Sequence, residues 1–314
     1  LLTLLLVSVA PTFAQDETSE CEGGFRLFDH ALGTTCIPEQ PQRIASTRAD
    51  FITTPLLDIG APVIASPFRE MEDGSTVVRG ASDIFGDAFM SEVNLINLGF
   101  PVNPEVMLEA NPDLIIGWVF DSESYDELSA IAPTVLIDWP LPMLEIMETV
   151  ADASGLAGVY DARLAEYEAR IEEARASIDD PASITISRLD IADDGLWYQP
   201  GWGAMDQVID DIGFSRPEIQ TDVTEPLSGI SIEEIMAFDG DIILSSYAPR
   251  FGQTIESLES GSYTQANSIW LTLPGVQVGN HYWFERDIWR GTSFASLNAV
   301  LDGLMLLTAG RNFE

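Results

Sequence analysis

Arginine and aromatic residues are concentrated in the segments that follow apolar, strand-like runs of this 314-residue sequence. Arginine can donate paired hydrogen bonds to anionic oxygens, and aromatic faces can stack on a flat ligand or a cation. A small-molecule site needs a few such polar anchors and a largely apolar wall. The predicted ligand contacts are Arg48, Arg69, Trp118, Arg188, Tyr198, Trp202, Tyr247, Arg250 and Trp289. The alternative is that the aromatic residues belong to the core and the arginines to ordinary salt bridges.

Catalytic motifs are absent from the sequence. It has no G-x-S-x-G elbow and no glycine-rich phosphate loop after a strand. The histidines are His30 and His281, too few for a receptor that binds a bare transition-metal ion through several converging ligands. We therefore expect a binding protein and not an enzyme.

The charge composition excludes one class of partner. The formal net charge is −37, and all 14 basic residues are arginine, with no lysine. A nucleic-acid-binding protein would need a basic patch, and the sequence has none. An acidic surface without lysine instead favours a chain adapted to high salt, where screening weakens self-repulsion.

The first 40 residues indicate export. Residues 1–14 (LLTLLLVSVAPTFA) form an apolar run closed by small residues, which predicts a signal peptide; the alternative is a buried helix. Residues 15–40 form a predicted extension that holds Cys21 and Cys36. An even cysteine count in an exported chain favours a disulfide over a metal site or a reactive thiol. We expect a soluble extracytoplasmic protein with no lipid anchor on a cysteine at the cleavage point.

An internal repeat divides the remaining chain into two halves. Residues 105–116 (EVMLEANPDLII) and 233–244 (EEIMAFDGDIIL) align with an offset of 128 residues, which pairs Glu105 with Glu233 and Asp113 with Asp241. Each segment has the pattern of a short helix that leads into a buried strand of a parallel sheet. The repeat predicts two lobes of similar structure.

The elements around the repeat predict an α/β fold with mostly parallel sheets in two three-layer lobes. Strand-like runs at 43–46 and 183–187 precede helices that end near Gly60 and Gly213. Residues 160–178 lack glycine and proline and have helical apolar spacing, so they predict one long helix between the lobes. We expect an N-terminal lobe at 41–150, the linking helix within 151–180 and a C-terminal lobe at 181–314, with the ligand cleft between them.

The chain resembles the helix-linked class of periplasmic binding proteins, which serve siderophore and vitamin B12 ABC importers. The resemblance rests on the order and spacing of PQRIAS (41–46), LLDIGAPVI (56–64), ANPDLIIG (110–117), LSAIAPTVLIDW (128–139) and the stretch at 273–304. It implies two α/β lobes bridged by one helix, and a monomer that docks one glutamate of each lobe on the permease. The matching positions are Glu105 and Glu233, although the repeat alone does not separate Glu233 from Glu234.

The resemblance implies a ferric siderophore as the ligand, with vitamin B12 or haem as alternatives. Iron inside a siderophore needs no ligand from the protein, which agrees with the scarcity of histidine. We therefore expect no cofactor, and iron only as its siderophore complex. The negative charge of the whole protein favours hydroxamate or mixed carboxylate siderophores over a highly anionic tris-catecholate.

Overall fold

The computed structural model describes residues 21–71, 74–192, 194–201, 203–265, 268–311 and 313. The predicted signal peptide at 1–14 and Trp202 lie outside these residues. Among the described helices, none is long and apolar enough to cross a membrane.

Within the predicted extension, β1 (Phe25–His30) and β2 (Gly33–Pro38) form an antiparallel hairpin that precedes the N-terminal lobe. Cys21 and Cys36 form the disulfide that the sequence predicted, and it ties the start of the described chain to β2. The hairpin contacts the edge of the lobe's main sheet, where the Ala31 amide donates to the Leu136 carbonyl.

The main sheet of this lobe is parallel throughout, with the strand order β7-β4-β3-β8-β9. Its side chains alternate between two faces, so that Ile44 and Ile116 face one apolar core and Ala45 and Ile115 face another. Helices cover both faces, as the sequence predicted. The strands are β3 (Ile44–Ser46), β4 (Val63–Ser66), β5 (Arg69–Glu70), β6 (Thr76–Val77), β7 (Ile96–Asn97), β8 (Leu114–Trp118) and β9 (Thr134–Ile137), of which β5 and β6 form a separate hairpin. The helices are α1 (Thr54–Asp58), α2 (Ala81–Val93), α3 (Pro104–Ala110), α4 (Tyr125–Ser129) and α5 (Met143–Ala153).

The linking helix α6 (Ala157–Ser177) is 21 residues long, about 32 Å at 1.5 Å per residue. Its buried face carries Tyr160, Tyr167 and Ile171. The Tyr167 hydroxyl donates to Asp211 at 2.6 Å in the C-terminal lobe. One continuous core includes α6 and buried strand residues of both main sheets, such as Leu114 and Leu244. The lobes therefore share packed side chains and are not joined by a loose tether.

The C-terminal lobe has a smaller parallel sheet than the first, with the order β10-β14-β15. A second, antiparallel sheet of β11, β12 and β13 lies beside it, so this half is less purely parallel than the repeat suggested. The strands are β10 (Ile186–Arg188), β11 (Asp190–Ala192), β12 (Gly195–Tyr198), β13 (Leu227–Ile230), β14 (Ile242–Tyr247) and β15 (His281–Glu285). The helices are α7 (Ala204–Ile212), α8 (Ile255–Ser260), α9 (Ser262–Gln265), α10 (Pro274–Gln277), α11 (Arg286–Trp289) and α12 (Phe294–Thr308).

The 128-residue repeat is visible in the hydrogen bonds. Asp113, which precedes β8, accepts from the backbone amides of Gln42 and Arg43 before β3. Asp241, which precedes β14, accepts from the backbone amide of Thr185 before β10. In each lobe this aspartate joins the amino ends of two adjacent parallel strands, so the repeated sequence has a repeated structural role.

Candidate ligand-binding cleft

A cleft lies between the lobes, at the carboxyl ends of the parallel strands. It contains two main pockets with volumes of about 260 and 320 Å³. Gln199 and Arg290 line both pockets, so the two pockets are adjacent. The position agrees with the general rule that ligands of open α/β sheets bind beyond the carboxyl ends of the strands.

Four aromatic rings form one wall of the first pocket: Phe51, Trp118, Phe120 and Trp139, here called the aromatic wall. The Trp118 ring stacks on Phe51 with centroids 5.0 Å apart and lies 5.4 Å from Trp139. Phe120 is 70% exposed and Trp139 is 43% exposed, although both are large and apolar. Exposed aromatic faces beside a pocket are available to a ligand.

Asp121 fixes the loops that carry this wall. Its Oδ2 accepts from the Thr47 hydroxyl at 2.5 Å, just after β3, and from the Trp118 backbone amide at 3.1 Å, at the end of β8. Trp139 follows β9, the next strand of the same sheet. Three neighbouring strands thus present the wall from a rigid edge.

Two arginines lie against Phe51 from different lobes. The guanidinium carbons of Arg48 and Arg290 are each 5.7 Å from the centre of the Phe51 ring. Arg48 also donates to Asp50 at 2.8 Å. Burial, with the nearby positive charge of Arg79, lowers the pKa of Arg290 to about 10. Arg290 therefore remains charged at neutral pH.

Arg188 lies behind the loop that forms the side of the first pocket away from the aromatic wall. It is 2% exposed, its guanidinium lies 4.4 Å from the centre of the Tyr198 ring, and it donates to the Gln199 carbonyl. The loop that contains Gln199, Gly201 and Gly203 lines the pocket. Arg188 thus positions a cleft loop instead of facing the cleft itself.

The second pocket is more polar. Arg79, Arg286 and Arg290 line it together with Asp190 and Ser246. Asp190 accepts from the backbone amide and the hydroxyl of Ser246 at 3.1 and 2.8 Å. Burial raises the pKa of Asp190, an effect that Arg188 and these hydrogen bonds partly offset.

Ion pairs join the lobes along one side of the cleft. Arg250 of the C-terminal lobe lies 2.5 Å from Asp83 and 3.0 Å from Asp87 of α2. Arg79 of the N-terminal lobe lies 3.3 Å from Asp287 in α11. Asp58, at the end of α1, accepts a hydrogen bond from the backbone amide of Phe294, at the start of α12, at 2.7 Å. These contacts hold the lobes together in this arrangement.

The sequence-predicted contacts divide into three groups. Arg48, Arg69 and Trp118 line the cleft or the recess beside it. Five others do not line these pockets. Trp289 stacks on Phe284 with centroids 5.1 Å apart, Arg250 bridges the lobes, and Arg188, Tyr198 and Tyr247 are not among the pocket-lining residues. Trp202 lies outside the described residues. Ligand contact by any of the nine stays a prediction.

The nine predicted contacts do not include Phe51, Arg79, Phe120, Gln199 or Arg290. Phe51 and Phe120 lie two or three residues beyond selected positions, so a longer window after each strand would have included them. Arg290 follows the four-residue helix α11, one turn away from the end of β15. Arg79 precedes α2 and follows no strand of the main sheet, so no strand-end rule indicates it.

His281 has a structural environment in this fold. Its Nε2 lies 2.8 Å from the hydroxyl of Ser245, which is fully buried, and its ring contacts Trp270 and Trp283. Burial lowers the pKa of His281 to about 4. The histidine is therefore neutral at physiological pH and packs within the C-terminal lobe.

Comparison with known proteins gives a consistent result. The family model described as periplasmic binding protein matches residues 90–261, which is more than half of the chain. The probable siderophore-binding lipoprotein YfiY of Bacillus subtilis is 24% identical over 97% of this chain and 94% of its own length. The iron(3+)-hydroxamate-binding protein YxeB of Bacillus subtilis is 27% identical over 84% of this chain and 78% of its own length.

Solved structures share the fold. Staphylococcus aureus SirA, solved in complex with staphyloferrin B, superposes with a TM-score of 0.73. The match covers 90% of this chain and 98% of SirA at 19% sequence identity. This likeness confirms the predicted architecture of α/β lobes.

Proposed function

The chain belongs to the periplasmic binding protein family, and we propose that it captures a ferric siderophore in the interlobe cleft and delivers it to an ABC importer. Members of this family bind and transport their substrates and do not transform them. YfiY is a probable siderophore-binding lipoprotein and YxeB an iron(3+)-hydroxamate-binding protein by name, which supports a ferric siderophore of some type as the ligand here. The site of action is extracytoplasmic, as for the family.

The observation that carries this proposal is the cleft itself. It combines an exposed aromatic wall with arginines from both lobes, Arg48 and Arg290, on either side of Phe51. Aromatic faces suit the flat chelating groups of a siderophore, and guanidinium groups suit its oxygens. A site of this kind needs no protein ligand on the iron.

Delivery requires contact with a permease, and the two repeated acids are suited to it. Glu105 lies in α3 and Glu233 in the short 3-10 helix Ile232–Phe238; both are exposed, and each lies two residues after the residue that caps its helix. The backbone amide of Glu105 donates to Asn103 and that of Glu233 donates to Ser231, residues also 128 apart. This equivalence favours Glu233 over Glu234 as the partner of Glu105. Because both acids lie on one chain, a monomer is sufficient.

The sites also share an exposed apolar residue. Leu108 and Met236 follow the two glutamates by three residues and are 61% and 54% exposed. Each site thus combines an exposed acid with an exposed apolar side chain three residues later. A permease with two equivalent basic and apolar recesses would bind both at once.

Fluorescence titration tests the binding function. A ferric siderophore is expected to quench the tryptophan emission saturably, because Trp118 and Trp139 line the cleft. We expect a Kd of about 1 μM or lower, a binding free energy of about 8 kcal/mol or more. The iron-free siderophore and free tryptophan at the same absorbance are the controls. Saturable binding of vitamin B12 or haem, with no binding of any ferric chelate, would contradict the proposal.

A further inference from the structure

Arginines outnumber acids in the cleft, whereas acids outnumber arginines in the chain as a whole. The chain carries a formal charge of −37, yet the pockets and recesses of the cleft are lined by more arginines than acids. The lining arginines are Arg48, Arg69, Arg79, Arg286 and Arg290, and the lining acids are Asp50, Asp190 and Asp287. A cleft lined by charge of one sign focuses its field and concentrates ions of the opposite sign.

Two of the three acids of the cleft already pair with arginines, and the third, Asp190, accepts hydrogen bonds from Ser246. Asp50 pairs with Arg48 at 2.8 Å and lies 3.8 Å from Arg79. Asp287 lies 3.3 Å from both Arg79 and Arg286. These pairs leave an excess of positive charge on the remaining arginines.

Two of the arginines lack a carboxylate partner within the described part of the chain. Arg69 and Arg290 have no ion pair there, and each instead lies against a phenyl ring, of Phe251 at 5.4 Å and of Phe51 at 5.7 Å. Burial also lowers the pKa of both, which indicates that their positive charge is poorly solvated. Asp50 and Asp287 act on both arginines without forming a salt bridge to either, and they do not offset the effect of burial. An anion that enters the cleft therefore gains from the positive charge of these arginines.

We infer that the cleft selects ferric siderophores with a net negative charge, of the carboxylate or catecholate type, over neutral and cationic hydroxamates. This inference rests on the ferric siderophore function proposed above. Arg48 and Arg290 hold the anionic oxygens from opposite lobes, while a planar part of the ligand lies on the aromatic wall. Arg290 is the specificity-determining residue, because it lines both pockets and has no acidic partner among the described residues.

The charge of the cleft, and not the net charge of the chain, determines the ligand preference that we expect. The sequence-based preference for hydroxamate or mixed carboxylate ligands rested on the negative field of the whole protein. Salt screens exposed charges beyond about 8–10 Å at physiological ionic strength, whereas a bound ligand lies within a few ångströms of the guanidinium groups. The arginines that line the pocket therefore decide the preference.

A charge series of ferric chelates tests the inference. Ferric enterobactin is anionic, ferrichrome is neutral and ferrioxamine B is cationic. Each is titrated by fluorescence quenching at two salt concentrations at which circular dichroism shows the protein folded. We expect the anionic chelate to bind at least about tenfold more tightly than the cationic one, and to lose affinity as salt rises.

Variants of Arg290 test whether this residue causes the preference for anionic chelates. Arg290→Gln should weaken binding of the anionic chelate by about tenfold more than it weakens binding of ferrichrome, because only the anionic chelate loses a charged contact. Arg290→Lys should retain much of the anion preference. Arg175→Gln, on the exposed face of α6 next to Glu172, is the control and should change neither affinity.

The charge selection and the siderophore function can be disproved separately. Equal or tighter binding of ferrichrome or ferrioxamine B by the wild-type protein would overturn the charge selection and leave the siderophore function intact. An anion preference that survives Arg290→Gln unchanged would overturn the role of Arg290. Absence of binding by every ferric chelate would overturn the proposed function, and this inference with it.

Discussion

Replacing Glu105 and Glu233 together by arginine is expected to abolish siderophore uptake and to leave ligand affinity unchanged. Both glutamates are exposed and equivalent by the repeat, and they lie outside the pockets of the cleft. A charge-assisted hydrogen bond to a basic recess contributes about 1.5–3 kcal/mol. Loss of two such contacts, followed by like-charge repulsion, should weaken docking by roughly a hundredfold or more.

The measurement is uptake of iron-55 siderophore in cells that lack the native binding protein and express each variant. Glu105→Arg or Glu233→Arg alone should reduce uptake by about tenfold, if each lobe contributes equally. Glu109→Arg and Glu234→Arg, at exposed positions beside the two sites, are matched controls and should retain most uptake. A double variant that transports normally, or that loses ligand affinity, would show that the docking acids are misplaced.

Replacing Gly203 by alanine is expected to have the largest effect on stability. Gly203 has φ +61° and ψ −140°, a conformation that is available almost only to glycine. An added Cβ would lie 1.9 Å from the Arg290 carbonyl oxygen and 2.7 Å from its carbonyl carbon. Backbone strain and this clash together should lower the free energy of unfolding by about 3 kcal/mol or more. Relief of the clash would displace Arg290, so ligand affinity should fall as well.

Gly201 provides a close control in the same loop. Its φ is +65°, but a Cβ there would have no heavy atom within 4 Å. Gly201→Ala should therefore cost only the backbone strain, about 1 kcal/mol. Urea unfolding followed by circular dichroism compares the two variants. Equal stability losses would mean that the close approach of Gly203 to Arg290 does not matter.

Local sequence patterns predicted the framework of the fold. The apolar run after Asp113 could be assigned to a buried parallel strand, and the structure has β8 (Leu114–Trp118) there. The uninterrupted helical spacing at 160–178 likewise corresponds to α6 (Ala157–Ser177). Both elements could be predicted because burial of both faces of a strand, or of one face of a helix, produces a recognisable pattern of apolar residues in the sequence.

The details of the cleft depend on contacts between distant segments, which local patterns do not contain. Arg188 follows a strand as the rule requires, but Tyr198 and Gln199 return to cover it. Arg250 also follows a parallel strand, but it forms ion pairs with Asp83 and Asp87 in α2 of the other lobe. In the C-terminal lobe, the antiparallel strands β11 to β13 lie between β10 and β14 in the chain. Equivalent positions in the two lobes are therefore not equally exposed to the cleft.

Diffraction at the iron absorption edge shows where the protein binds a ferric siderophore and which atoms coordinate the iron. Crystals of the protein grown with a ferric siderophore are expected to give one strong anomalous peak in the interlobe cleft, between the aromatic wall and Arg290. The iron should be coordinated by siderophore oxygens and not by protein side chains. An iron peak outside the cleft, or iron coordinated directly by the protein, would contradict the account.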